Sequence, residues 1–297
     1  MTRDPATEGA SPRYTELETW PAETALQAMW EGQLAAIAAI GPALPALAAA
    51  AQAAAERLRG GGRLAYAGAG TSGRIGVQDG AELAPTFDWP LDRLVFLMAG
   101  GEQALIRASE GAEDRADQAE QDVRDAGIGG SDVLIGLAAS GTTPYTIACI
   151  AAARAAGALT IGLANSPGAP LLAAAAHPIL IATGAEVIAG STRMKAGTAQ
   201  KAALNLFSSM VMTLLGRVYR GQMVDMLARN DKLRRRALRM LQGLTGCSLE
   251  QAAAALTQTD GRVKQAILVV RGLRPADAAA MLERCGGDLR RAERTVD

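Results

Sequence analysis

Five short apolar runs, at 64–67, 94–97, 133–137, 160–163 and 179–182, recur through the middle of the chain and alternate with segments of helical spacing. Strands buried on both faces read as near-continuous apolar stretches, and parallel neighbours need a long crossover, usually a helix. The pattern therefore predicts βαβ units and an α/β fold with a doubly wound parallel sheet. Upstream, residues 23–59 are Ala-rich with Leu, Met, Trp and Ile at helical intervals, broken near Gly41-Pro42 and Pro45, which predicts two N-terminal helices. Downstream, Ser248 and Gln251 have capping-box spacing, and short helical stretches follow, punctuated by Gly261, Pro275 and Gly286-Gly287. The expected division is an N-terminal helical arm over 1–59, a sheet domain over 60–225 and a small C-terminal helical domain over 226–297.

Composition narrows the partners. A chain of 297 residues can bury a substantial core. Its 30 basic and 30 acidic residues leave no net field to draw nucleic acid or an anionic membrane. The basic run at 232–239 is read as an exposed helix face, because a binding patch needs net basic character. Ala-rich stretches such as 44–55 are interrupted by Pro45 and Gln52 and are too short to cross a bilayer, and the first residues lack an apolar signal core. A soluble cytoplasmic protein with no nucleic-acid and no membrane partner is expected. The three cysteines, Cys149, Cys247 and Cys285, are odd in number and widely separated, as for plain core or surface thiols. His177 is the only histidine, which argues against a zinc site or a serine triad. Neither a metal nor another cofactor is expected.

Ligands of such sheets lie beyond the carboxyl ends of the strands. After the first run comes Gly68-Ala-Gly-Thr-Ser-Gly73, a glycine loop leading into a helix. Free backbone N–H groups at a helix start receive anions, and the hydroxyls of Thr71 and Ser72 make a phosphate the natural guest. The same letters fit a dinucleotide fingerprint, which wants an acid roughly 20 residues further on. Here the second run leads into Met98-Ala-Gly-Gly101 and Asp92 precedes it, so a compact phosphate is the better reading. After the third run, Ser140-Gly141 echoes Ser72-Gly73 in Ala138-Ala-Ser-Gly-Thr-Thr-Pro-Tyr145. Ser140, Thr142 and Thr143 are each phosphate ligands or plain N-caps, and the pairing of two such loops favours the former. A third segment, ending Gly190-Ser-Thr-Arg-Met-Lys-Ala-Gly-Thr-Ala-Gln-Lys201, brings Ser191, Arg193 and Lys195 to a helix start, to meet an anion or simply to be solvated.

Together these stretches resemble the N-acetylmuramic acid 6-phosphate etherases, within the larger group of sugar isomerase (SIS) domains that bind phosphosugars. The matching motifs are Gly68-Ala-Gly-Thr-Ser-Gly-Arg-Ile-Gly76 with Asp79, Glu82 and Pro85-Thr-Phe87, then Glu110-Gly-Ala-Glu-Asp114, Ala139-Ser-Gly-Thr-Thr-Pro-Tyr145 and the 190–201 segment. The likeness continues through Asn230-Asp-Lys-Leu233 and the helical tail. Two departures stand out. The family's opening Thr-Glu pair, matched to Thr15-Glu16, lacks its following Asn, and Leu83-Ala84 stand where the family often has Cys-Pro.

The resemblance implies an SIS fold, a homodimer, a phosphosugar substrate and no cofactor. It implies a carbon–oxygen lyase that releases D-lactate from N-acetylmuramic acid 6-phosphate in cell-wall amino sugar recycling. Glu82 is then the acid that protonates the departing ether oxygen and Glu113 the base at C2. Thr71, Ser72, Ser140, Thr142, Thr143, Ser191 and Lys195 are the expected substrate and phosphate ligands. Read without the motif, Glu113 is an ordinary charged helix residue among Glu110, Asp114 and Arg115. Two other functions are alternatives: a non-catalytic phosphosugar sensor like the glucokinase regulatory proteins, which share the motifs, and an aldose–ketose isomerase, which also deprotonates C2 but has no leaving group for Glu82 to protonate.

Overall fold

In the computed structural model, which describes residues 5–107, 109–228 and 230–296, the apolar runs become five strands. These are β1 Leu64–Gly68, β2 Leu94–Met98, β3 Val133–Ala138, β4 Leu159–Ala164 and β5 His177–Leu180. They form one sheet in the order β2-β1-β3-β4-β5, with every pairing parallel. β1 and β3, in the middle, are buried along their whole length, whereas the edge strands β2 and β5 are partly exposed. That gradient is why the central runs read most clearly as strands, and why the last one is displaced, starting at His177 instead of Ile179.

The helices of this sheet unit are α1 Ala22–Ala38, α2 Leu44–Arg59, α3 Gly70–Phe87, α4 Ala116–Asp125, α5 Pro144–Ala155, α6 Pro170–Ala174 and α7 Lys195–Leu214. α2 buries Leu47, Ala50, Ala51, Ala54, Ala55 and Leu58, a stripe of period three to four that packs on β4 and β5. Each large side chain so buried contributes about 1.5–3 kcal/mol. The stretch from Ala22 to Arg59 is apolar enough in sum to cross a membrane. It is broken into helices of 17 and 16 residues, each short of the roughly 20 that a bilayer requires, and the second is part of the core.

Compactness divides the chain differently from the sequence-based expectation. One unit is Met1–Ala81 with Leu91–Ser208, and the other is Glu82–Pro90 with Ser209–Asp297. α3 and α7 each run from the first unit into the second. The second unit is helical, with α8 Asp231–Thr245, α9 Leu249–Gln258, α10 Val263–Val270, α11 Pro275–Arg284 and α12 Leu289–Val296 around Leu241, Leu256, Ile267, Leu268 and Leu289. The capping box opens α9: Gln251 N donates to Ser248 Oγ at 3.1 Å and Ser248 N donates to Gln251 Oε1 at 2.9 Å. The basic run at 232–239 lies on α8, its cations exposed and its face at Ala237, Met240 and Leu241 buried. All three cysteines are free, with Cys149 buried.

Candidate active site

With the strand order 2-1-3-4-5, a crevice opens beyond β1 and β3, where the connections leave in opposite directions. The two hydroxyl-and-glycine loops follow these two strands. At the end of β1 the chain turns so tightly that a Cβ on Gly68 would stand 2.9 Å from Gly73 Cα, and one on Gly73 only 2.3 Å from Met98 Sδ. Close approach of backbone to backbone lets α3 start within two residues of the strand, presenting Thr71 and Ser72 in its first turn. After β3, Gly141 takes φ +69°, and a Cβ there would meet Ala169 Cβ at 2.3 Å. Ser140 Oγ accepts from Thr142 N at 3.2 Å and from Thr142 Oγ1 at 2.9 Å, which shapes the loop. Thr143 occupies the N-cap of α5, but its side chain makes no capping bond, and Pro144 follows at the first helical position. Its hydroxyl is thereby left for a ligand.

These side chains line one cavity of about 530 Å³, with Thr71, Ser72, Ser140, Thr142 and Thr143 around it. Glu113 joins them from a single turn of 3-10 helix, Ala112–Asp114, that starts at the left-handed Gly111. The cavity also gathers Thr192, Asp114 and Glu8, which sequence reasoning missed. Thr192 sits beside the expected Ser191 and shares its motif. Glu8 had no linear signal, since its place depends on how the N-terminal arm folds back. Thr7 is fully buried, with its Oγ1 3.2 Å from Ser166 Oγ at the end of β4, and this carries Glu8 to the crevice. The Thr-Glu pair at the site is thus Thr7-Glu8 and not Thr15-Glu16, which lie exposed in a short helical turn region.

Three expected residues stand elsewhere. Lys195 is buried, its Nζ donating to Ala185 O at 2.7 Å, and burial pushes its ammonium pKa down. The start of α7 is closed from within, because the buried carboxylate of Glu186 accepts from Lys195 N at 2.8 Å and from Ala196 N at 2.9 Å. That internal acid takes the place an external anion would occupy, so Lys195 does not line the crevice. Ser191 is half-buried and also outside the lining. Glu82 is exposed on α3 and does not line the crevice either. It lies ten residues beyond Ser72 in the chain.

Asp79, one turn before Glu82, has a structural place. It accepts from Tyr66 Oη at 2.9 Å, Asn205 Nδ2 at 2.8 Å and Ser208 Oγ at 3.1 Å, tying α3 to β1 and α7. Burial pushes its carboxyl pKa up, and the three donors act against that shift.

The parallel sheet with paired hydroxyl loops at its switch point places the protein in the SIS domain class. Residues 46–154 match the family described as "Glucokinase regulatory protein N-terminal SIS domain". The fold is similar to that of a phosphoheptose isomerase from Francisella tularensis, with a TM-score of 0.50 and 18% identity, covering 65% of this chain and 100% of that one. The chain is 51% identical to the N-acetylmuramic acid 6-phosphate etherase of Deinococcus radiodurans, covering 98% of this chain and 95% of that protein. It is 44% identical to the etherase of the same name from Streptomyces avermitilis, covering 96% of this chain and 92% of that protein. The chain belongs to the N-acetylmuramic acid 6-phosphate etherase family.

Proposed function

We propose that this chain cleaves the D-lactyl ether at C3 of N-acetylmuramic acid 6-phosphate by elimination and then water addition. The products are N-acetylglucosamine 6-phosphate and D-lactate, and we place the reaction in cytoplasmic recycling of cell-wall amino sugars. The observation that carries the reading is one cavity holding Ser72, Ser140 and Thr143 together with Glu113. The hydroxyls and the N–H groups of α3 and α5 hold the 6-phosphate, each charge-assisted bond being worth about 1.5–3 kcal/mol.

An ether oxygen is a poor leaving group, so the sugar opens to its aldehyde, which acidifies the C2 proton. Glu113 removes that proton, the C3–O bond breaks with acid help, and water adds back at C3 of the unsaturated aldehyde. Among the described residues, the cavity lining holds no Lys or Arg. We assign the acid to Glu82 and propose that it arrives from a second copy of the chain. On its own chain it is not among the residues that line the crevice. Exposed apolar side chains Leu26, Trp30 and Leu34 form a stripe along α1, suited to a homodimer interface. A sensor or an isomerase is less favoured, since the etherase relatives match nearly the whole chain.

Pure protein incubated with N-acetylmuramic acid 6-phosphate should release D-lactate, and turnover should persist in excess chelator without added nucleotide. Absence of lactate would refute the activity, and a loss in chelator reversed by one metal would refute the cofactor-free mechanism.

A further inference from the structure

Among the described residues, the crevice lining offers hydroxyls and the carboxylates of Glu8, Glu113 and Asp114, and no positive side chain. In the reaction proposed above, on which this inference rests, the substrate bears two anions: the 6-phosphate and the carboxylate of the ether-linked lactate. Like charges repel at short range, so the second anion needs a cation beyond the crevice.

Thr71 lines both the crevice and a neighbouring groove of about 950 Å³. At this junction α7 packs against α3 at Gly197, where a Cβ would lie in ordinary contact distance of Thr71 Cγ2 (3.4 Å) and Ile75 Cδ1 (3.5 Å). The 190–201 segment gives the groove Arg193 and Lys201, while α1 and the start of α2 give it Ile37 and Leu44. Arg193 directly follows Thr192 of the crevice, is exposed, and has no hydrogen bond or ion pair with the described residues. Lys201 is likewise exposed without a hydrogen bond, its charge felt by the buried Asp79.

We infer that Arg193, assisted by Lys201, is a second anion subsite that takes the lactyl carboxylate while the phosphate occupies the crevice. A guanidinium matches a carboxylate in two parallel hydrogen bonds, and the apolar wall suits the lactyl methyl. This subsite separates the ether-bearing substrate from its product and from other phosphosugars, which present the same phosphate and no carboxylate.

The test is calorimetric binding in a Glu113→Gln background, where the ether survives, with N-acetylmuramic acid 6-phosphate and N-acetylglucosamine 6-phosphate as probes. Arg193→Gln should weaken the first by roughly tenfold or more and the second by less than about twofold. Lys201→Gln should give a smaller loss of the same kind, and Arg193→Lys should recover part of it. Retained binding of the product sugar reports that the variants are folded. Equal weakening of both ligands, or of neither, overturns the subsite. The reaction is judged separately: selective binding through Arg193 without any release of D-lactate by the unmutated chain would remove the activity and leave the subsite standing.

Discussion

Ser72 is buried in the first turn of α3, and no hydrogen bond of its hydroxyl is made within the described residues, the state of a donor waiting for a ligand. Ser72→Ala should weaken phosphosugar binding by roughly tenfold or more, the worth of one charge-assisted bond. A titration with N-acetylglucosamine 6-phosphate checks it, and unchanged affinity would take the phosphate away from this loop. The two carboxylates are separable. Glu113→Gln should abolish lactate release and also exchange of the C2 proton with solvent deuterium. Glu82→Gln should keep the exchange while slowing lactate release by about 10² to 10⁴, the usual contribution of a general acid. Exchange lost in both variants, or in neither, would reverse or cancel these roles. At this scale the loop hydroxyls were legible because their motif is contiguous and its function is local. Lys195 was not, since the partner that claims the start of α7 is Glu186, an acid whose place depends on the loop before the helix.

Among the elements, the ties between strands set stability. Asp132, buried just before β3, accepts from Arg63 N at 2.8 Å, Arg63 Nη2 at 2.7 Å and Gly129 N at 3.0 Å, joining the entries of β1 and β3. Burial alone pushes its carboxyl up, yet the Arg63 and Gly129 donors outweigh that and leave its pKa below the ordinary value. A depressed folded pKa gives stability that is fully present above the unfolded value near 3.9 and is lost as pH falls through the folded one. Asp132→Asn should therefore cost about 1–3 kcal/mol at neutral pH and flatten the loss of stability below about pH 4. Urea melts of both proteins across that range measure it, and an unchanged acid limb would show that Asp132 is not the group responsible. The central strands were legible because burial on both faces removes polar alternation. The attachment of α2 to the sheet was not, because an Ala-rich helix advertises its period without naming the surface it covers.

At the scale of the molecule, the proposed homodimer makes a prediction that no single chain can satisfy. If Glu82 acts on the partner's crevice, a mixed dimer of Glu82→Gln and Glu113→Gln chains has one site with both acids intact and regains about half of the native activity. If both acids serve the same chain, every site in the mixed dimer lacks one of them, and mixing restores nothing. Sedimentation of Trp30→Glu at micromolar concentration, expected to be monomeric, tests the α1 stripe independently. The linear order of residues determined the parallel sheet, its two hydroxyl-and-glycine loops and the presence of two family acids, because each depends on neighbours within a few turns of chain. Only the tertiary structure decided that Glu8 enters the crevice and that Lys195 turns away from it. Those positions follow from packing between segments remote in sequence, where burial and rival hydrogen-bond partners, and not local pattern, determine where a side chain ends up.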